Sequence, residues 1–417
     1  MLSRSGHRTL WHLLRPEEPN LLKYLKGAGY DVRLWGKNDL LAPGSWVASV
    51  TESDDLEGDC RPTPAFEPGE PGYYSFLGRP RREEEGLTHD RKCVNRAVEY
   101  LDAGPKGPFC LYLPLSFPHP TYGALNRFHD LIDPDGIPPL RPAELPDKPD
   151  FFRLIRRYRR LDEAPERLFR QVNAAYLAQI AEVDDLLGRL LAALERSGHA
   201  GDTTVIVFSD HGDWAGDYGL VEKWPSGMDD CLTRIPMIVR SPGGAVGHVV
   251  GQCIEAFDLM ATVLELAGIE AGHTHFARSF AEQLRGRVGD PDRAVFCEGG
   301  YDPHEPHCFE GHPVRDGHMM TPVNLYYPKC KQQQDHPESV CRTAMIRTMG
   351  YKLIYRRNSR RELYDLTADP RELCNVYSHP EYEAVQRDLQ ERLFNWYLET
   401  SDVTQMEEDP RGRSDPR

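Results

Sequence analysis

No stretch of the sequence approaches the ~20 consecutive apolar residues that cross a bilayer. The first fifteen residues are interrupted by Arg4, His7, Arg8 and His12, so no secretory signal is read there. Taken as it stands, the chain is expected to be cytoplasmic; a signal upstream of Met1 would change that expectation. No C-x-x-C pair occurs among the 10 cysteines, which are scattered from Cys60 to Cys374. That excludes a small disulfide scaffold and predicts separate buried thiols. Positive charge is in deficit, with 50 Lys and Arg against 65 Asp and Glu and a formal net charge of -15. This argues against nucleic acid or an anionic membrane surface as the main partner. It also means that an anionic substrate would need a locally positive pocket. No internal repeat is present.

What is present centres on Val205–Phe208, an unbroken apolar run dominated by β-branched residues that ends in Ser209, Asp210, His211 and Gly212. A short continuous apolar run reads as a strand buried on both faces, as in a parallel sheet. In open α/β sheets ligands bind beyond the carboxyl ends of the strands. Asp210 and His211 are therefore delivered to the place where such folds do chemistry, and their donor types suit a divalent metal. On this stretch alone the alternative stays open that Asp210 caps a turn and His211 is incidental.

Other segments supply more strand ends. A helix is expected over 17–26, with Gly27 and Gly29 as stop signals, then a strand over Asp31–Trp35 with Gly36 and Lys37 at its end. Residues 43–88, rich in Pro, Gly and acids, read as a long loop insertion over the active face. A helix over 90–101 precedes an apolar strand over 108–116, which ends in Phe117-Pro118-His119-Pro120. A histidine just past a strand end suits a general acid, because its ordinary pKa of ~6.5 lies near neutrality. Residues 121–170 are irregular, with a basic run read as a solvated face. The clearest helix is 173–197, its apolar stripe facing the core. Residues 214–230 read as a loop carrying Lys223, with Glu222 placed to pair with it. Strands at 235–239 and 293–297 and a helix over 256–267 follow. His304, His307, Cys308 and His312 are zinc-ligand types at short spacing, but they form no paired set. Residues 297–318 are read instead as a substrate-facing loop. Segments 343–348, Tyr351–Arg356 and 362–366 alternate as a small antiparallel sheet, and a last helix spans 382–399.

Three motifs stand in order. They are YLKGAGYDVRLWGKN (24–38), SDHGDWAGDYGLVEKW with RIPMIVRSPGG (209–244), and GYKLIYRRNSRRELYDLTADPRELCNV (350–376). Together they resemble the sulfatase family, within the alkaline-phosphatase-like superfamily. The resemblance implies an α/β fold, a three-layer αβα sandwich on a large, mostly parallel sheet, with a smaller C-terminal α+β subdomain carrying an antiparallel sheet. The expected division is a catalytic domain over 1–270, the subdomain over 271–405 and a disordered tail over 406–417. The implied reaction is hydrolysis of a sulfate ester, on an aryl compound or a carbohydrate. Asp210 and His211 would hold a divalent metal, Ca2+ or alternatively Mg2+. Lys37 and Lys223 would clamp the sulfate, and His119 would protonate the leaving oxygen.

Two departures accompany the resemblance. Asn38 and Asp39 follow Lys37, and Asp39 takes the place of a family histidine. The family's opening strand with two metal-binding aspartates is not found, nor is its Cys/Ser-x-Pro-Ser-Arg motif, whose first residue becomes the formylglycine nucleophile. Leu2, Ser3 and Arg4 echo the tail of that motif, which would put the nucleophile before Met1. The expectation is of a chain that begins inside the family domain. Two further readings therefore stay open: a phosphodiesterase or phosphonate monoester hydrolase of the same superfamily, and a catalytically silent protein that binds the ligand.

Overall fold

The computed structural model describes residues 7–401; the expectations that fall on residues 2–4 and on the tail from 406 lie outside them. The first helix, α1 (Leu21–Gly27), starts where the Asn20 side chain accepts from the Lys23 backbone N–H at 2.9 Å. It buries Leu22 and Leu25 and leads into β1 (Asp31–Trp35), in which Val32, Leu34 and Trp35 are buried. β1 pairs in parallel with β2 (Glu52–Asp54) on one edge and with β3 (Phe109–Tyr112) on the other. Between them α2 (His89–Asp102) is capped by Thr88 and buries Cys93, Val94, Ala97 and Leu101. It packs against the long helix α4 (Glu166–Arg196), and a shorter helix, α3 (Asp150–Tyr158), precedes α4. α4 begins seven residues earlier than the apolar stripe alone predicts.

The central strand, β4 (Val205–Phe208), departs from expectation. It pairs antiparallel with β5 (Met237–Arg240), and these two strands form a sheet of their own. It is not buried on both faces: Phe208 is 38% exposed, and on β5 Ile238, the partner of Val207, is 66% exposed. Among the described residues β3 and β4 each have one edge without a strand partner. They nevertheless meet in one apolar cluster, with Phe109 and Leu111 of β3 beside Val205 of β4 under Leu101 and Leu194. Side-chain packing thus keeps the strands side by side where backbone pairing does not.

After α5 (Asp258–Ala267) the chain enters the C-terminal part. There β6 (Val295–Gly299), β7 (Thr343–Arg347), β8 (Tyr351–Arg356) and β9 (Glu362–Asp365) form an antiparallel sheet in sequence order. The three strands expected there gain β6 as a fourth. Helix α6 (Tyr327–Asp335) lies between β6 and β7, and the last helix, α7 (Glu383–Ser401), lays Leu389, Leu393 and Trp396 on the sheet.

Two segments read as loops are part of the core. Residues 43–88 line no part of the large cavity described below. Phe76 is buried, and Tyr73 and Tyr74 donate to the carbonyls of Val323 and Pro322 at 2.6 and 2.7 Å. The aromatic residues of that segment draw it inward although its composition is that of a loop. Residues 214–230 have no regular period, yet Trp214, Tyr218 and Trp224 pack with Phe151 and Phe152 of α3 and with Tyr301, Phe309 and Val340 of the C-terminal part. The segment's acids are locked by buried cations. Asp229 meets Lys148 at 2.6 Å, and Asp230 meets Lys352 at 2.9 Å, while Lys352 also meets Glu372 at 2.7 Å. All ten cysteines are free, and Cys93, Cys308, Cys330 and Cys341 are buried. No helix among the described residues is long and apolar enough to cross a membrane.

A buried ion pair ties 43–88 to α4. Both oxygens of Glu182 accept from the Arg81 guanidinium, at 2.9 and 2.7 Å, and Oε2 also accepts from the Leu125 N–H at 3.1 Å. Glu182→Ala leaves that guanidinium buried and unpaired, so urea denaturation should show a loss of about 3–5 kcal/mol. A loss below about 1 kcal/mol, the scale of an exposed pair, would contradict this reading.

Candidate active site

The carboxyl ends of β1, β3 and β4 open on one cavity of about 1740 Å³, and Lys37, His119, Asp210, His211 and Lys223 all lie on its wall. Each position follows from a strand exit. Gly36, at φ +143, lets β1 pass so close to β3 that a side chain there would meet the Pro114 carbonyl at 2.5 Å. The Lys37 N–H then donates to that carbonyl at 3.0 Å. Its ammonium sits 2.6 Å from Asp39, with both side chains about half exposed. Gly212 serves β4 in the same way: a Cβ there would meet the Cys231 carbonyl at 2.0 Å.

The Asp210 carboxylate is 83% exposed and accepts from the His211 N–H at 2.9 Å. His211 Nδ1 donates to the Gly212 carbonyl at 2.8 Å, which leaves Nε2 as an acceptor 3.5 Å from Asp210 Oδ2. Burial, and next the charge of Lys223, lower the His211 pKa, so the ring is neutral at neutral pH. Two acceptors facing each other without a proton between them suit a shared cation. They supply two donors, where Ca2+ takes about six to eight oxygens. Among the described residues no group of three or more His, Cys, Asp or Glu gathers to hold a metal. The residues present therefore do not make a complete metal site.

His119 Nδ1 donates to the Pro120 carbonyl at 3.0 Å, and Nε2 lies 2.9 Å from the Lys223 ammonium. Burial pushes the His119 pKa down to about 3, with the charge of Lys223 the next cause. At neutral pH Nε2 of this histidine accepts a hydrogen bond from the Lys223 ammonium and carries no proton to donate.

Behind Lys223 lies a layer that the sequence did not announce. Glu222 is 1% exposed and holds a left-handed backbone, φ +65, a conformation that costs a non-glycine residue of order 1–3 kcal/mol. Its N–H is shared between the Tyr122 hydroxyl at 2.9 Å and Asp213 Oδ1 at 3.0 Å. The Tyr122 hydroxyl itself donates to Asp213 at 2.9 Å, and burial pushes the Asp213 pKa up to about 6. The Glu222 carboxylate meets Lys223 at 3.2 Å, as the pairing of neighbours predicted, but also Lys329 at 2.8 Å and Arg159 at 3.3 Å. Burial pushes that carboxyl up, and the charges of Lys329, Lys223 and Arg159 outweigh it to hold it well below the usual carboxylate range. The far wall of the cavity comes from the C-terminal part, including Tyr301, Cys308, Glu310, Met319 and Tyr326. Part of 297–318 thus faces the cavity, as read from its composition.

The sulfatase family profile matches residues 2–269, and a second profile, that of the N-sulphoglucosamine sulphohydrolase C-terminal region, matches 314–398. The chain belongs to the sulfatase family. Among its relatives, a multifunctional alkaline phosphatase superfamily protein of Trinickia caryophylli is 26% identical, over 92% of this chain and 80% of that protein. An N-acetylglucosamine-6-O-sulfatase of Bacteroides thetaiotaomicron is 28% identical over 60% of this chain, which spans only 41% of that enzyme. The phosphonate monoester hydrolase of Agrobacterium radiobacter superposes with a TM-score of 0.73 at 20% identity, over 95% of this chain and 84% of that one. That likeness carries the fold, which is the alkaline-phosphatase-like α/β fold with a C-terminal antiparallel sheet. The cavity lies at the strand ends where the first two motifs fall.

The low pKa of His119 sets a pH expectation. The unfolded chain carries histidine at ~6.5, so between about 6.5 and about 3 the unfolded state binds more protons at this residue. Its contribution to stability therefore falls as pH drops through that window. Ring resonances of His119 should stay flat from pH 8 to pH 5 in an NMR titration. A midpoint near 6.5 would show the ring exposed and unpaired.

Proposed function

We propose that this sulfatase-family protein hydrolyses a sulfuric ester, carried by a carbohydrate or an aryl group, in the cavity at the ends of β1, β3 and β4. The observation that carries the reading is the convergence of Lys37, His119 and Lys223 on one wall of a pocket in a chain of net charge -15. In a site that excludes water, fixed ammonium groups offset the charge that builds on sulfuryl oxygens far better than they would in bulk solvent. Lys223 is placed for this role, and its ammonium is the protonated member of the pair with His119. The proton for the leaving oxygen then starts on Lys223, and His119 Nε2 orients it. This revises the expectation that His119 itself is the donor. Asp210 and His211 are two ligands of a divalent metal, Ca2+ first among candidates. The remaining ligands and the formylglycine nucleophile are not supplied by these residues, and no step is derived through them.

Parallel assays with an aryl sulfate, a sulfated glucosamine and an aryl phosphodiester test the proposal. In a form that also carries the nucleophile motif a sulfate ester should be turned over, and Lys223→Ala and Asp210→Ala should each lower kcat/KM by about 10²–10³-fold. Preferred turnover of the phosphodiester would favour the phosphonate and phosphodiester branch of the superfamily. Saturable binding of a sulfated sugar without turnover of any ester would make the protein a ligand-binding one. Undiminished turnover in Asp210→Ala would overturn the assignment of that residue.

A further inference from the structure

Three lysines line the anion site, the buried Lys329 and the more exposed Lys37 and Lys223, and the latter two are neutralised in different ways. Lys37 has Asp39 at 2.6 Å. Lys223 has Glu222, but that carboxylate is divided: Oε1 takes Lys329 at 2.8 Å and Lys223 at 3.2 Å, and Oε2 takes Arg159 at 3.3 Å. The shortest of the three contacts belongs to Lys329. Neither competing cation is free to leave. Lys329 is 4% exposed on α6 and also meets Glu310 at 3.2 Å. Arg159 is 2% exposed, lies over the Phe76 ring at 4.7 Å, and donates to the Tyr74 carbonyl at 3.3 Å. Lys223, by contrast, is partly exposed to the cavity, and among the described residues its ammonium pairs with Glu222 and His119, whose neutral ring adds no counter-charge.

We propose that Lys329 and Arg159 keep the Lys223 ammonium available to an anionic substrate by occupying the Glu222 carboxylate that would otherwise neutralise it. The inference rests on the reading that Lys223 holds the sulfate. Lys329, Arg159 and Glu222 are positioning residues. Glu222 and Lys329 border the cavity with almost fully buried side chains, Arg159 lies behind them, and all three act through the direction and charge of Lys223. Lys329 belongs to the C-terminal part and Lys223 to the loop after β4, so the affinity of the anion site depends on how the two parts dock. Removing Lys329 hands Glu222 to Lys223, draws the ammonium away from His119 and the cavity, and weakens anion binding. Removing the charge of Glu222 as well releases Lys223 again. A purely structural role for Lys329 predicts the reverse, because the double variant then carries more damage than the single one.

The test is calorimetric titration of inorganic sulfate into the full chain at pH 7, with circular dichroism and Tm as folding controls. Lys329→Met should bind sulfate roughly tenfold more weakly, the factor that accompanies the weakening of one charge-assisted hydrogen bond. The double variant Glu222→Gln/Lys329→Met should recover most of that loss. In the same single variant the His119 midpoint, read by NMR, should move up from about 3 as Lys223 withdraws, and it should fall back in the double variant. Where Lys329→Met does not fold, Arg159→Met puts the same question from the other carboxylate oxygen. Unchanged sulfate affinity in Lys329→Met, or a double variant that binds no better than the single one, overturns the inference. Lys223→Met separates the two levels. Unchanged sulfate binding there overturns the reading of the site and this inference with it. Binding lost in Lys223→Met but intact in Lys329→Met overturns the inference alone.

Discussion

The carboxylate of Glu222 is removed from water at the point where the loop after β4 folds back toward the cavity, and much of the molecule is arranged to make that tolerable. A buried carboxylate is costly unless charge partners and hydrogen bonds replace its solvent. Here the partners come from three places: Arg159 just after α3, Lys329 on α6, and Lys223 next in the chain. Its backbone, held at a positive φ, is fixed by Tyr122 and Asp213. Strain of that kind persists only where the surroundings over-determine it. The consequence for function is that Lys223 is oriented by the meeting of the strand-bearing part with the C-terminal part, and not by its own loop alone.

The same docking explains the aromatic cluster. Trp214, Tyr218 and Trp224 come from a segment without regular period, and they bury themselves against α3 and against Tyr301 and Phe309. Lys148, which meets Asp229 at 2.6 Å and Glu362 at 3.3 Å, and the pair Asp230–Lys352 run through the same interface. Apolar packing makes the interface favourable, while the buried charges fix its register, since a slipped arrangement would leave each of them unpaired.

The sequence told strand ends well and strand partners poorly. Lys37, His119 and Asp210 fall just past the ends of the strands read at 31–35, 108–116 and 205–208, and the structure brings all of them to one cavity. The antiparallel pairing of β4 with β5 was not legible, because a four-residue apolar run looks alike whichever neighbour it takes. The burial of 43–88 was masked by its Pro, Gly and acids, although Tyr73, Tyr74 and Phe76 were the signal to weigh. Lys223 stood out through its motif, and Glu222 through adjacency. Arg159 and Lys329 could not stand out, because a pairing across 63 or 107 residues leaves no local pattern.

An acidic protein with an anion site must solve a local problem, and exposure decides how well each lysine serves it. The Lys37–Asp39 pair lies near solvent, where water and salt screen both charges. Its ammonium is weakly held and can swing to a ligand at little cost. Lys223 sits deeper, where a charge is felt more strongly in either direction. An undivided carboxylate beside it would cancel the attraction that the site requires, whereas no carboxylate at all would leave three cations crowded together. One carboxylate shared among three cations lies between these limits. It leaves the cluster net positive toward the cavity, and the neutral His119 at 2.9 Å steers the ammonium without opposing its charge.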